Sequence, residues 1–299
     1  LSLPLKDISG NFRLYRREAL NGITLQARDF DVLEEVLIKV VAQGYRVREI
    51  PFHYRSRGSG SSHARLLKFA LAYARTVARM LRLRNSEASA DYDHRAFDSP
   101  IWLQRHWQRA RHRIVLGYLE TAGLRPGAAV LDIGCGSSRI IQSLPSAVGL
   151  DLLLPKLRFL RGRGHRRLAQ GSAFALPFPD AAFDAVVSSE LIEHVPDAAA
   201  LWAEMRRVLR PDGVLGLGTP DYGRPLWWAL EWIYGKVLPG AYAGEHVTHY
   251  TQASLRARLQ RQGYRIRALR YVGGCEMIFL AGAGPQPAAA DRTEAGRAD

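Results

Sequence analysis

Cysteine is nearly missing from this 299-residue chain, which carries only Cys135 and Cys275. Two thiols cannot build a disulfide framework or the usual four-ligand zinc cluster. The core must therefore come from apolar burial in a reducing compartment, and a disulfide-stapled secreted module is excluded. Long apolar runs are missing too. Crossing a bilayer takes roughly 18 or more such residues, and the best stretch, Leu226 to Leu238, is short and contains Glu231 and Lys236. The first residues, Leu-Ser-Leu-Pro-Leu-Lys, lack an initiator Met and the basic and apolar regions of a signal peptide. A start inside a longer reading frame is left open. Lysine is scarce, with five among 42 cations. Arg in place of Lys, beside abundant Ala and Gly, is the pattern of a genome rich in G and C. The formal charge of +14 is thus a weak argument for a nucleic-acid partner, and no helix-turn-helix, zinc-finger or aromatic sheet motif supports one.

What is present is 47% hydrophobic residues in a length sufficient for two ordinary domains. The charge is uneven: residues 1–113 hold 21 Lys/Arg against 11 Asp/Glu, and residues 114–299 hold 21 against 17. Val32, Leu33, Val36, Leu37, Val40 and Val41 form a 3.6-period stripe within 30–47 that stops near Gly44, predicting an amphipathic helix. An extended segment, 45–54, and a Gly/Ser loop, 57–62, lead to a second helical stretch, 64–83. Its cations Arg65, Lys68, Arg75, Arg79, Arg82 and Arg84 flank Leu, Phe, Ala and Met. Two readings stay open: a helix lying on an anionic membrane surface, or a packed helix with a solvated basic face. Residues 85–100 are polar and acidic and read as a linker, with a domain boundary near 90. From Ala128 short β-rich runs at 129–133, 147–150, 185–188, 214–218, 266–271 and 276–280 alternate with helical stretches. That alternation predicts a mostly parallel sheet covered by helices on both faces. The tail from Gly284 has no apolar periodicity and is expected to be disordered.

The sharpest signal is Val130-Leu131-Asp132-Ile133-Gly134-Cys135-Gly136, with Asp151 ending the next strand. Glycines at 134 and 136 let the chain turn sharply and bring backbone N–H groups to a ligand. An acid 19 residues after Asp132 is placed to accept the hydroxyl protons of a ribose. The third glycine of a dinucleotide fingerprint is replaced by Arg139, which weakens a pyrophosphate reading.

On these residues the stretch 115–283 resembles the class I S-adenosylmethionine-dependent methyltransferases. The resemblance implies a Rossmann-like, doubly wound α/β fold with a seven-stranded sheet whose last strand is antiparallel, beside a small N-terminal α+β fragment. It also implies S-adenosyl-L-methionine as cofactor. Asp132, Gly134, Cys135 and Gly136 match the loop that holds its amino-acid part, and Asp151 matches the ribose-binding acid. The segment 171–180 matches the adenine loop, with Ser172 and Ala173 as contacts. Ser172 stands where relatives commonly carry Asp, so weaker cofactor affinity is expected. Phe183 to Glu190 resembles the fourth strand, with Ser189 at its ligand end, and Arg207 to Gly213 resembles the approach to the fifth. No metal centre is read from the sequence.

Methyl transfer from a sulfonium is an in-line displacement, and a base is needed only where the acceptor loses a proton. The candidates are His194, with Glu190 and Glu193 to tune it, and His246 and His249 in the run 244–250; structural roles are open for each. The stretch 225–234 holds Trp227, Trp228 and Trp232, three of six Trp. It reads as an acceptor lid, a membrane contact or ordinary packing. The Arg-rich run 157–167 has two readings, a phosphate contact and a solvated helix end and loop, and the second is favoured. In the lead-in helix, Arg109 or Trp107 is placed to close over the cofactor. The acceptor is expected to be a small molecule, a glycan or a polyprenyl-linked compound.

Upstream, residues 7–17, 33–35 and 44–52 resemble the C-terminal part of family 2 glycosyltransferases of the polyprenyl (dolichyl) phosphate sugar type, over about residues 3–85. The nucleotide-sugar half with any Asp-x-Asp motif is absent, so no sugar transfer by this chain is expected. A bifunctional fusion and a retained docking segment are both open. The expected layout is a fragment at 1–90, a linker and lead-in helix at 91–114, a catalytic domain at 115–283 and a tail at 284–299. A cytoplasmic location, peripheral at the inner membrane face, fits this reading.

Overall fold

The computed structural model describes residues 3, 5–8, 10, 12–51, 53, 66–125, 127–237 and 246–284. Three helices come first: α1 (Arg17–Leu20), α2 (Val32–Ala42) and α3 (Leu66–Arg84), followed by α4 (Tyr92–Phe97) and α5 (Trp102–Thr121). The remainder is β1 (Val130–Ile133), α6 (Arg139–Gln142), β2 (Val148–Asp151), α7 (Leu154–Gly162), β3 (Leu168–Gln170), β4 (Phe183–Ser189), α8 (Ala199–Val208), β5 (Leu209–Pro220), α9 (Pro225–Val237), α10 (Gln252–Arg261), β6 (Tyr264–Val272) and β7 (Glu276–Ala283).

The seven strands form one sheet in the order β3-β2-β1-β4-β5-β7-β6. Strands β1 to β5 pair in parallel, and β7 enters antiparallel between β5 and β6. Strand alternation sends side chains to two cores. Leu131 and Ile133 join Leu201, Trp202, Met205, Leu255 and Leu259 beneath α8 and α10. Val130 joins Val115, Tyr118, Ile140, Leu157 and Leu160 beneath α5, α6 and α7. A sheet buried on both faces is what a parallel arrangement requires. The order runs outward in two directions from β1 and β4, so a crevice opens at their carboxyl ends.

Several expectations are corrected here. The polar stretch 85–100, read as a linker, is packed. Arg84 and Asp91 form a buried ion pair at 2.5 Å, Ser89 donates its hydroxyl to Asp91 at 2.9 Å, and Tyr92 and Ala96 are buried. Polar composition marks a loop only where the polar groups are solvated, and here they satisfy one another. Among the described residues before β1 there are helices but no strands, and 45–51 runs extended without a strand partner. Helix α3 buries Thr76, Met80 and Arg84, with Thr76 donating to Asp31 at 2.6 Å. It is a packed helix whose Leu71 and Leu81 remain exposed. Residues 209–213 join β5, whose pairing with β4 shifts register between Phe183 and Ala185. The 57–62 loop, the first two residues of the 244–250 run and the tail beyond Gly284 lie outside the described residues.

The turn after α2 docks on α7. Gly44 follows α2 at φ +79°, and a Cβ there would lie 2.3 Å from the Pro155 carbonyl oxygen. Arg158 donates to the Gln43 carbonyl at 2.6 Å and stacks over the Tyr45 ring.

Candidate functional site

Strand β1 ends at Ile133, and the chain turns through Gly134 (φ +68°), Cys135 and Gly136 (φ +52°). The Gly134 and Cys135 N–H groups donate to the Leu150 carbonyl, at 2.8 and 3.1 Å, which ties the loop to β2. A Cβ at 134 would press on Leu191, and one at 136 would lie 2.6 Å from Asp93 Oδ2. These two positions need glycine for both conformation and space. At the end of β2, Asp151 accepts from Gly136 N–H and Leu153 N–H, each at 2.8 Å.

A cavity of about 340 Å³ opens above these ends. Its walls include Asp132, Gly134, Gly136, Asp151, Ser172, Ala173, Ser189, Glu190 and His194. Seven of the eight residues expected to hold the cofactor therefore face one space. The eighth, Cys135, does not line the cavity: its thiol is buried beside Gly149 in the core beneath α5, α6 and α7, and burial pushes it well up. Ser172 accepts from the Phe174 N–H at 3.2 Å, so its hydroxyl braces the turn after β3.

The cavity gathers the carboxylates of Asp93, Asp132 and Asp151 beside the Lys156 ammonium. Asp132 is buried and its Oδ2 has no hydrogen-bond partner. Burial, then the Asp151 and Asp93 carboxylates, push it up to about 8. Burial also raises Asp151, partly offset by the Lys156 ammonium. Asp93, from α4, behaves oppositely. Burial alone would raise it, but Lys156 at 3.2 Å and the Ser137 N–H and hydroxyl hold it below the usual range. An orphaned buried carboxylate, a glycine cradle and an acid at the second strand end fit a ligand with an ammonium and a ribose, as S-adenosylmethionine has. Asp132 and the loop would hold its amino-acid end, and Asp151 its ribose.

A second, apolar pocket of about 120 Å³ adjoins the first. Leu103, Trp107, Trp227, Leu230 and Ile233 line it, and the two spaces share Gln108, Arg111 and Glu190. Glu190 sits one residue past β4 at φ +61°, uncommon for a non-glycine residue and characteristic of functional sites. Arg111 fixes it: this side chain lies 2.9 Å from Glu190 Oε2 and forks onto Glu276 at 2.6 and 2.8 Å. Trp107 Nε1 also donates to Glu276. The closing side chain expected in α5 was Arg109 or Trp107. Trp107 reaches the apolar pocket, whereas Arg109 pairs with exposed Asp98; Arg111 makes the central contact. Nothing in the spacing of the Arg-rich lead-in helix distinguished it, because its partner Glu276 is 165 residues away.

The three candidate histidines separate. His194 borders the cofactor cavity and His246 the apolar pocket, with ring centroids 4.8 Å apart. His246 Nδ1 lies 2.6 Å from the Tyr222 hydroxyl and 3.1 Å from Glu231 Oε1. Burial, then His194 and His249, lower it to about 4. His249 stacks on Tyr222 at 4.0 Å and borders neither pocket. Of the three Trp of α9, Trp227 turns inward, while Trp228 and Trp232 are exposed.

Comparison with known proteins agrees with this arrangement. Residues 131–217 match the family model described as a methyltransferase domain. A Mycolicibacterium smegmatis protein named as a probable S-adenosylmethionine-dependent methyltransferase is 36% identical over 123 residues, 40% of this chain and 47% of its own length. A demethylmenaquinone methyltransferase of Beutenbergia cavernae is 34% identical over 146 residues, 46% of this chain and 56% of the relative. The chain thus spans about half the length of these curated relatives. Among solved structures, a chain from a Haloferax volcanii complex of a methyltransferase and its activator superposes with a TM-score of 0.53. That match has 19% identity and covers 66% of this chain and 97% of the other, which shows the fold. The similarity to methyltransferase domains falls on β1 to β5, the stretch that carries Asp132, the glycine loop and Asp151.

Proposed function

We propose that this chain transfers a methyl group from S-adenosylmethionine to an apolar small-molecule or polyprenyl-linked acceptor bound between α5 and α9. The observation that carries the reading is the junction of the two pockets at Glu190 and Arg111. One pocket is built of carboxylates and backbone N–H groups, the other of Trp and aliphatic side chains.

S-adenosylmethionine supplies an electrophilic methyl group on a sulfonium. The protein's part is alignment and exclusion of water. Asp132, the glycine loop and Asp151 hold the donor end. Trp107, Trp227, Leu230 and Ile233 hold the acceptor's apolar body, and Glu190 orients its polar end at the shared wall. His194 and His246 stand beside that wall. One relative is named for demethylmenaquinone, an apolar acceptor of the kind this pocket suits.

In the same reading residues 3–85 are a docking segment related to family 2 glycosyltransferases. The exposed Trp228 and Trp232 and the basic α3 support peripheral contact with a membrane that presents the acceptor. The test is transfer of a labelled methyl group to a panel of hydroxylated isoprenoid, aromatic and glycan acceptors. Transfer to apolar members, reduced at least tenfold by Trp227→Ala with cofactor binding intact, is expected. Preference for water-soluble glycans, unaffected by Trp227→Ala, would overturn the acceptor assignment.

A further inference from the structure

Where the two pockets meet, three donor groups converge that the cofactor contacts do not use. Glu193, His194 and His246 each present one ligand atom, and these atoms all lie within 4.8 Å of one another. Glu193 is fully buried, and its Oε1 has no hydrogen-bond partner. A carboxylate oxygen in that condition calls for a cation or a proton. Its other oxygen, Oε2, accepts from the Thr219 hydroxyl at 3.0 Å, which fixes the plane of the group.

The histidines are oriented as well. His246 Nδ1 lies 2.6 Å from the Tyr222 hydroxyl and 3.1 Å from Glu231 Oε1, which orients the ring. An imidazole whose second nitrogen meets a carboxylate is the arrangement that outer groups impose on metal-bound histidine. His194 Nε2 lies 3.8 Å from Glu87 Oε1, a second acid beside the cluster. The backbone preassembles the site: Val247 and Thr248 N–H groups donate to the Glu193 carbonyl at 2.8 and 3.0 Å. The Thr248 hydroxyl donates to the Val195 carbonyl at 2.7 Å. The segment bearing His246 is thereby clamped onto the turn bearing Glu193 and His194.

We propose that Glu193, His194 and His246 bind one divalent transition-metal cation, for which Zn²⁺ is the reference species. Two imidazoles and one carboxylate suit zinc and its neighbours, whereas magnesium and calcium favour all-oxygen shells. Bonds of about 2.0–2.2 Å place tetrahedral donors roughly 3.3 Å apart, so side-chain rotations of under about 1 Å at each donor close the set. Three protein donors leave a coordination position open. His194 borders one pocket and His246 the other, so the open position suits an oxygen of the acceptor. That role rests on the methyltransferase reading; the binding itself does not. The sequence reading assigned no metal because His246 is 52 residues from His194, with no ligand spacing between them to recognise.

The test is titration of the chelator-treated full chain with Zn²⁺ in competition with a chromophoric chelator, and with Co²⁺ followed by visible absorption. One cation per chain is expected, with affinity falling at least 30-fold in both Glu193→Gln and His246→Gln and unchanged in His106→Ala. Circular dichroism confirms that each variant is folded, and His246→Gln serves alone if Glu193→Gln is not. Absence of saturable binding, or binding unaltered in His246→Gln, overturns the proposal. Calorimetry with S-adenosylhomocysteine on the same metal-free protein separates the two readings. Cofactor binding without cation binding refutes only the metal site, and cation binding without cofactor binding refutes only the transfer reading.

Discussion

Arg111→Met tests the junction of the two pockets most sharply. Arg111 holds two carboxylates, Glu276 with forked contacts at 2.6 and 2.8 Å and Glu190 at 2.9 Å. Glu276 is fully buried and Trp107 alone would remain to donate to it. Removing one member of a buried ion pair leaves an uncompensated charge and costs about 3–5 kcal/mol. The methionine keeps much of the aliphatic volume, so little of that loss is a cavity. For a domain of this size the melting temperature should fall by on the order of 10 °C. The double variant Arg111→Met/Glu276→Gln should recover more than half of the loss, because the stranded charge goes with it. Urea denaturation of the four members of this cycle gives the coupling directly. A single-variant loss below about 1 kcal/mol, in the range of an exposed pair, would refute the reasoning. So would equal losses in the single and double variants.

Asp132 is held near 8 by burial and neighbouring carboxylates, above its unfolded value. The native state therefore keeps a proton that the unfolded chain releases, and stability falls as pH rises from about 4 to about 8. Asp132→Asn should match the parent in stability at pH 4 and exceed it at pH 8.5, while binding S-adenosylhomocysteine at least tenfold more weakly; parallel stability curves would contradict this. Gly136→Ala places a Cβ 2.6 Å from Asp93 Oδ2 at φ +52°. It should cost about 1–2 kcal/mol and weaken cofactor binding, as measured by denaturation and calorimetry. Gly44→Ala, with its Cβ 2.3 Å from the Pro155 carbonyl, should destabilise the α2–α7 contact by about 2 kcal/mol or more. Faster proteolysis near residue 44 would report it.

The strands with apolar alternation and the β1 loop were legible because their signals are local. Glycines at 134 and 136, Asp132 and Asp151 are read from a spacing that the fold preserves. Strand β3 was missed because Leu168–Gln170 is three residues long, with no fully buried position. Asp93, Lys156, Arg111 and Glu276 escaped because each acts through a partner far along the chain. The stretch 85–100 misled through its polarity, since Arg84, Ser89 and Asp91 neutralise one another inside the protein. Cys135 belongs to the motif, but its thiol is buried beside Gly149 in the core and does not line the cavity. His249 was grouped with His246 by proximity in sequence, and stacking on Tyr222 separates them.

The central claim is that Asp132, the glycine loop and Asp151 form a working cofactor site. Calorimetric titration of S-adenosylhomocysteine into the chain, beside Asp151→Ala, tests it most directly. The account predicts saturable one-to-one binding by the parent and a loss of at least tenfold in the variant. A folded parent that binds nothing, or an Asp151→Ala variant that binds as tightly as the parent, would contradict it.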